Sequence, residues 1–158
     1  MGHLFRQTDK GSTVWSTGNA PFRAITKIGS WPVTVAVRCR IEHFELDHFA
    51  LLDTGAEWSV IGEDVLIHIK DQLGPPIRSL TISTRLGTIF GELHRVSITL
   101  LTYPGQGDEL TLESTTFVSE EWDGPVVLGY RGFLERIRFA LDPGVVPGDQ
   151  IFYFGLAE

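Results

Sequence analysis

One segment constrains the fold of this chain more than any other part of its sequence. The apolar pair Leu51-Leu52 runs into Asp53-Thr54-Gly55, and the chain then resumes as Ser59-Val60-Ile61. This pattern predicts two buried strands joined by a tight polar loop. Gly55 permits a backbone geometry that a side chain would obstruct, and the Thr54 hydroxyl can hydrogen-bond to neighbouring backbone. The bare tripeptide is also compatible with an ordinary turn, because Asp and Gly are common turn residues.

The residues around the tripeptide favour a more specific interpretation. With Leu51-Leu52 before it, Ala56 after it and Ser59-Val60-Ile61 at the matching offset, the segment resembles the active-site segment of the retropepsin-like aspartic proteases. A second stretch, Val126-Val127-Leu128-Gly129, resembles the part of that family that threads behind the catalytic loop, with Gly129 as the threading glycine. A buried strand and helix with no special role is the alternative for this stretch. The resemblance covers residues 31–155.

A hairpin is predicted between Leu80 and Leu100, because two alternating strands surround a centre that contains Gly87 and Gly91. In the resembled family, the hairpin after the Asp loop is a flap that folds over bound peptide. The resemblance therefore implies that substrate contacts Gly87, Thr88 and Ile89. An ordinary sheet hairpin is the alternative, since this tip lacks a run of glycines.

The remaining sequence agrees with the fold that the resemblance implies, an all-β retropepsin-like closed barrel with a flap and one or two short helices. Alternating residues from Val33 to Val37 and from Ile41 to Phe49 predict a hairpin that leads into the Asp53 loop. Helical spacing predicts a helix within residues 62–74, and the resemblance implies a second short helix after Gly129. Residues 1–30 are predicted to be an N-terminal arm with one strand near Phe22 to Ile28, and residues 31–155 to be the protease domain.

The resemblance also implies a two-chain active site. Peptide hydrolysis of this kind uses a water molecule between two carboxyl groups that share one proton. The chain contains Asp-Thr-Gly once, and the nearest imitation, Asp142-Pro143-Gly144, has no hydroxyl at its centre. We therefore expect a homodimer in which one Asp53 is general base and its mate is general acid. Each Thr54 would bond across to the other loop, and Gly55 would offer its carbonyl to a substrate amide.

Substrate is predicted to bind the three residues that directly follow the tripeptide, namely Ala56, Glu57 and Trp58. Glu57 stands where the family often has a second acid, although its longer side chain changes the reach. Trp58 either lines a subsite for apolar side chains or packs against the following helix. Arg131 is expected to serve in structural pairing. Because Ala56 brings no hydroxyl to stabilise negative charge, we expect a working pH that is mildly acidic to near neutral.

Composition excludes several other functions. A net charge of −7 leaves no basic surface for nucleic acid or for an anionic membrane. The single cysteine, Cys39, allows no internal disulfide, and no metal or other cofactor is implied. His43, Glu45 and Asp47 would share one strand face, which we interpret as solvated surface rather than as a metal site. The sequence shows no signal-peptide core and no apolar run of about 18 residues, so the cytoplasm is the expected location.

The predicted function is that of an aspartic endopeptidase, active as a homodimer on extended polypeptide with apolar residues near the cut. The alternative is a non-catalytic retropepsin-fold module that dimerises or binds peptide. A third possibility is a protease that stays dormant until its N-terminal arm is removed.

Overall fold

The computed structural model describes residues 5–8, 11–14, 16–27, 31–85 and 87–157. The described chain is mostly β, and its strands are β1 (Phe5–Thr8), β2 (Gly11–Val14), β3 (Gly18–Pro21), β4 (Arg23–Lys27), β5 (Trp31–Ile41), β6 (Asp47–Leu52), β7 (Ser59–Ile61), β8 (Arg78–Thr84), β9 (Gly87–Leu100), β10 (Leu110–Val118), β11 (Val127–Leu128), β12 (Ile137–Asp142) and β13 (Ile151–Leu156). One α-helix, α1 (Glu63–Ile69), continues into a 3₁₀ turn at Lys70–Gln72, and a second 3₁₀ turn covers Leu134–Arg136. No helix in the described ranges has the length and apolar character needed to cross a membrane.

The main sheet has eight strands in the order β4-β5-β6-β11-β7-β10-β9-β8, and β5 also pairs with β9. Strand β11 lies between β6 and β7, the two strands that flank the Asp53 loop. It runs parallel to β6 and antiparallel to β7. A strand from late in the chain is thereby inserted directly behind the loop.

A smaller sheet has the order β12-β13-β3. Strand β3 and strand β4, which pairs with β5, both lie within the predicted N-terminal arm. Strand β4 corresponds to the strand predicted near Phe22 to Ile28, although Ile28 lies outside the described residues, as do 1–4, 9, 10, 15, 29 and 30 of the arm. The boundary between arm and domain stays a prediction.

Several predicted elements differ in their extent. The strand predicted from Ile41 to Phe49 begins only at Asp47, because Glu42 and His43 form a turn in which His43 has a φ of 65°. His43 therefore does not share a strand face with Asp47. Within residues 62–74, where a helix was predicted, the structure has one short α-helix followed by a 3₁₀ turn. After Gly129, where a second short helix was expected, it has a single 3₁₀ turn.

Gly91 lies inside β9 rather than in the hairpin tip, where the sequence pattern had suggested it. A Cβ at this position would lie 2.5 Å from the carbonyl oxygen of Val118 and 2.6 Å from the Phe117 ring. Glycine is thus required there by the close approach of β9 to its neighbour.

Among the described residues, two apolar clusters form the core. The larger one includes the buried face of α1, namely Val65, Leu66 and Ile69. The smaller one, which we call the hairpin cluster, lies between the Asp53 loop and the β8–β9 hairpin. Its buried members are Val60, Leu93, Phe117 and Val127, and the partly buried residues that pack against them are Leu51, Ala56, Trp58, Leu80, Ile82, Ile89 and Trp122.

Two titratable residues near the start of the domain have environments that change their ionisation. Cys39 is fully buried in the larger cluster, and this burial raises the pKa of its thiol to about 12. Burial also acts to raise the pKa of Asp47. Hydrogen bonds of 2.7 Å from Arg38 and 3.0 Å from Arg40 outweigh that effect and hold the pKa of Asp47 below its usual value.

Candidate active site

The Asp53 loop is a tight turn that begins where β6 ends. The Gly55 N–H donates to Oδ1 of Asp53 at 2.9 Å, and the Ala56 N–H donates to the Asp53 carbonyl oxygen at 3.2 Å. Asp53, Thr54 and Gly55 are all exposed, whereas Ala56 is partly buried. The loop therefore holds one carboxylate in a fixed orientation and presents it at the surface of the chain.

Backbone hydrogen bonds tie both sides of this loop to the segment around β11. The Asp53 N–H donates to the Leu128 carbonyl oxygen at 3.1 Å, and the Tyr130 N–H donates to the Ala56 carbonyl oxygen at 2.8 Å. A loop supported on both sides loses little conformational entropy when it binds a ligand, because its geometry is already set. The two strands predicted around Asp53 are therefore joined by β11, which belongs to the stretch that the resemblance placed behind the loop. Strand β7 is buried as predicted, whereas Leu51 and Leu52 of β6 are only partly buried.

Gly129 is packed against the backbone of the loop's second half. Its N–H donates to the buried Ser59 hydroxyl oxygen at 3.0 Å. A Cβ at Gly129 would lie 2.2 Å from the carbonyl carbon and oxygen of Trp58 and 2.6 Å from the Ser59 nitrogen. Backbone atoms cannot swing aside as a flexible side chain can, so only glycine fits at this position.

Glu57 and Arg131 are exposed beside the loop, next to the partly buried Trp58. The Arg131 N–H donates to the Glu57 carbonyl oxygen at 2.8 Å, and the two side chains make an ion pair at 3.5 Å. The Arg131 guanidinium also lies 5.7 Å from the centre of the Trp58 ring. Both charged side chains are more than half exposed, so their pair contributes only about 0–1 kcal/mol to stability.

The contacts place the predicted hairpin residues in two different environments. Ile89 is partly buried and packs in the hairpin cluster with Ala56 and Trp58. Gly87, which has a φ of 123°, and Thr88 are exposed at the tip. The structure therefore brings Ile89 together with Ala56 and Trp58, whereas Gly87 and Thr88 remain exposed to solvent at the tip of the hairpin.

Two connections at this site were not expected from the sequence. The Ser59 hydroxyl supports Gly129, although Ser59 had been noticed only as part of a motif. The Glu121 carboxylate accepts a hydrogen bond from the Phe90 N–H at 2.7 Å, although Glu121 belongs to no motif identified in the sequence. Neither pairing has a local sequence signal, because each joins residues that are far apart in the chain.

No His, Cys, Asp or Glu residues among the described ranges form a group of three or more that could hold a metal ion. Glu45 lies between the Glu42–His43 turn and β6, and Asp47 is engaged by two arginines.

Comparisons with known proteins give matches among solved structures. No protein-family model and no curated protein sequence matches the chain. The chain is similar to a retropepsin-like aspartic protease from Rickettsia conorii, with a TM-score of 0.44 and 16% identity over 92% of this chain and 99% of that one. It is also similar to the retroviral protease-like domain of Ddi1 from Leishmania major, with a TM-score of 0.41 and 12% identity over 78% of this chain and 93% of that one.

Proposed function

We propose that this chain is a retropepsin-like aspartic endopeptidase that is active as a homodimer. The observation that carries the proposal is the Asp53 loop itself, an exposed Asp-Thr-Gly turn held from behind by β11 and by the closely packed Gly129. The chain supplies this loop once, so two carboxyl groups require two chains. The strand pairings agree with a closed barrel, since β5 pairs with both β6 and β9.

In the proposed reaction, a water molecule lies between the two Asp53 carboxyl groups. The ionised carboxylate removes a proton from this water as it attacks the scissile carbonyl, while the protonated carboxyl donates a hydrogen bond to the carbonyl oxygen. The two acids share one proton because like charges at short distance do not both ionise. Each exposed Thr54 hydroxyl would bond to the partner's loop, and each Gly55 carbonyl would accept a substrate N–H.

The substrate is proposed to be extended polypeptide. The β8–β9 hairpin would act as a flap, with Gly87 and Thr88 over the bound chain and Ile89 beside it. Ala56 and Trp58 contribute apolar surface next to the loop, which favours apolar substrate side chains near the cut. Glu57 would contact substrate backbone from the edge of the loop, close to its pairing with Arg131.

The test is cleavage of a diverse peptide mixture, read by mass spectrometry between pH 4 and pH 7. Asp53→Asn should abolish the new fragments. The matched control is Asp142→Asn, because Asp142 also accepts an N–H from the glycine two residues later, at 2.9 Å, in a turn without the central hydroxyl. Fragments should persist in that control.

If the wild-type protein produces no new fragments at concentrations where it is shown to be dimeric, the endopeptidase proposal is refuted. It would favour a non-catalytic module that dimerises or binds peptide. Fragments that survive Asp53→Asn would refute the role of Asp53.

A further inference from the structure

The β8–β9 hairpin is only partly supported by the rest of the main sheet. Strand β9 pairs with β10 as far as Glu92, which lies opposite Val118. From Gly87 to Gly91, β9 pairs only with β8 among the described residues, and β8 pairs with no other described strand. A two-stranded hairpin is marginally stable in water, so further contacts are needed to fix its position.

Two side chains continue the hydrogen bonding where β10 ends. The Phe90 N–H donates to Oε2 of Glu121 at 2.7 Å, and the Ser119 hydroxyl donates to the Phe90 carbonyl oxygen. The Glu121 N–H donates in turn to the Ser119 hydroxyl oxygen at 3.1 Å. Both backbone groups of Phe90 are thus bonded to side chains of residues 119–121, where a neighbouring strand would otherwise provide the partners.

We propose that Glu121 and Ser119 form a latch on the backbone of Phe90, and that Glu121 thereby positions the hairpin over the Asp53 loop for substrate binding. This inference rests on the proposed endopeptidase function. The latched residue directly follows Ile89, which packs in the hairpin cluster with Ala56 and Trp58. A shift at Phe90 therefore moves apolar surface beside the candidate active site.

Within the latch, the hydrogen bond from the Phe90 N–H to the Glu121 carboxylate is charge-assisted and therefore stronger than a neutral one. Glu121 is followed by Trp122, which packs in the same cluster and whose indole N–H donates to the Pro125 carbonyl oxygen at 2.8 Å. The segment that contains Glu121 is therefore held in place by the contacts of Trp122. The adjacent acid, Glu120, is directed elsewhere and pairs with Lys70 at 2.8 Å.

Glu120 provides a matched control because it is exposed, acidic and next in sequence to Glu121. Amide hydrogen exchange of Phe90, followed by NMR on the full chain, should be roughly three- to tenfold faster in Glu121→Ala than in wild type. Glu121→Gln should restore slow exchange, since its amide oxygen still accepts the Phe90 N–H. Glu120→Ala should leave the rate unchanged.

The same variants distinguish a positioning role from a purely structural one. For a peptide cleaved by the wild type, Glu121→Ala should raise KM about three- to tenfold with less than a twofold change in kcat, and Glu121→Gln should recover most of the loss. Unchanged exchange at Phe90 in Glu121→Ala would refute the latch. Faster exchange with an unchanged KM would refute the positioning role. If the wild-type dimer cleaves no peptide, the endopeptidase proposal and the positioning role both fail, and the exchange rates still decide whether the latch exists.

Discussion

Replacing Gly129 by alanine tests the packing behind the Asp53 loop most directly. The added Cβ would lie 2.2 Å from the carbonyl carbon and oxygen of Trp58, whereas ordinary contact begins near 3.4 Å. The two backbone segments must therefore separate by about 1.2 Å, which is the difference between these distances. Such a shift weakens the Gly129–Ser59 hydrogen bond and the neighbouring bonds from Asp53 and Tyr130.

The expected loss of stability follows from these contacts. Three weakened hydrogen bonds cost roughly 1 kcal/mol each, and overpacking adds about 1–3 kcal/mol. We therefore expect Gly129→Ala to lower the free energy of unfolding by about 4–6 kcal/mol, a large part of the ~5–15 kcal/mol typical of a domain. With a urea m-value of about 2 kcal/mol/M, the unfolding midpoint would fall by roughly 2–3 M.

Gly74→Ala is the matched control, because a Cβ at Gly74 meets no atom within 4 Å. Its effect on the free energy of unfolding should stay within about 1 kcal/mol. Urea unfolding of both variants should be followed by tryptophan fluorescence at one fixed protein concentration, since dimerisation makes apparent stability depend on concentration. A Gly129→Ala protein that unfolds within 1 M urea of Gly74→Ala would refute the argument.

Three further predictions concern other parts of the fold. Ser59→Ala leaves the Gly129 N–H without its partner in a buried site, so urea unfolding should show a loss of about 1–3 kcal/mol, and unchanged stability would contradict the assigned bond. The pKa of Asp47 is lowered in the folded state, so its ionised form adds stability above about pH 4 that is lost as the pH falls through the lowered pKa. Asp47→Asn should therefore flatten the dependence of the free energy of unfolding on pH below about 4. Wild-type and variant curves that run parallel in this range would contradict the prediction. The buried Cys39 thiol, whose pKa is about 12, should react with a thiol reagent at neutral pH only after unfolding, so rapid labelling of the native protein would show that it is accessible.

Much of the candidate site follows from local sequence patterns. The Asp53 loop lies between two strands, as the apolar residues on either side of it predicted. Strand β7 is buried, whereas Leu51 and Leu52 at the end of β6 are only partly buried. The hairpin of residues 78–100 forms because alternating side chains fit a pleated strand, and its tip contains Gly87 in a backbone conformation that glycine adopts easily. Such signals are readable because each depends on residues within one element.

Where strands begin and end was less predictable. Strand β6 starts at Asp47 because the turn at Glu42 and His43 interrupts an alternation that continues in the sequence. Gly91 was predicted to lie in the hairpin tip because the centre of the segment contains two glycines. It lies instead within β9, where a glycine is required by the close approach of β9 to Val118. At Gly91 a tertiary contact outweighed the local pattern, whereas at β6 a turn interrupted the alternation.

Short sequence motifs identify the Asp-Thr-Gly turn, the apolar strands on either side of it and the glycine at position 129. The distant residues that support them are known only from the folded chain, as in the hydrogen bonds from Gly129 to Ser59 and from Phe90 to Glu121. The difference arises from the range of the forces involved. Backbone propensity and side-chain alternation act over a few residues, whereas strand register and close backbone approach are set by the packing of the whole chain.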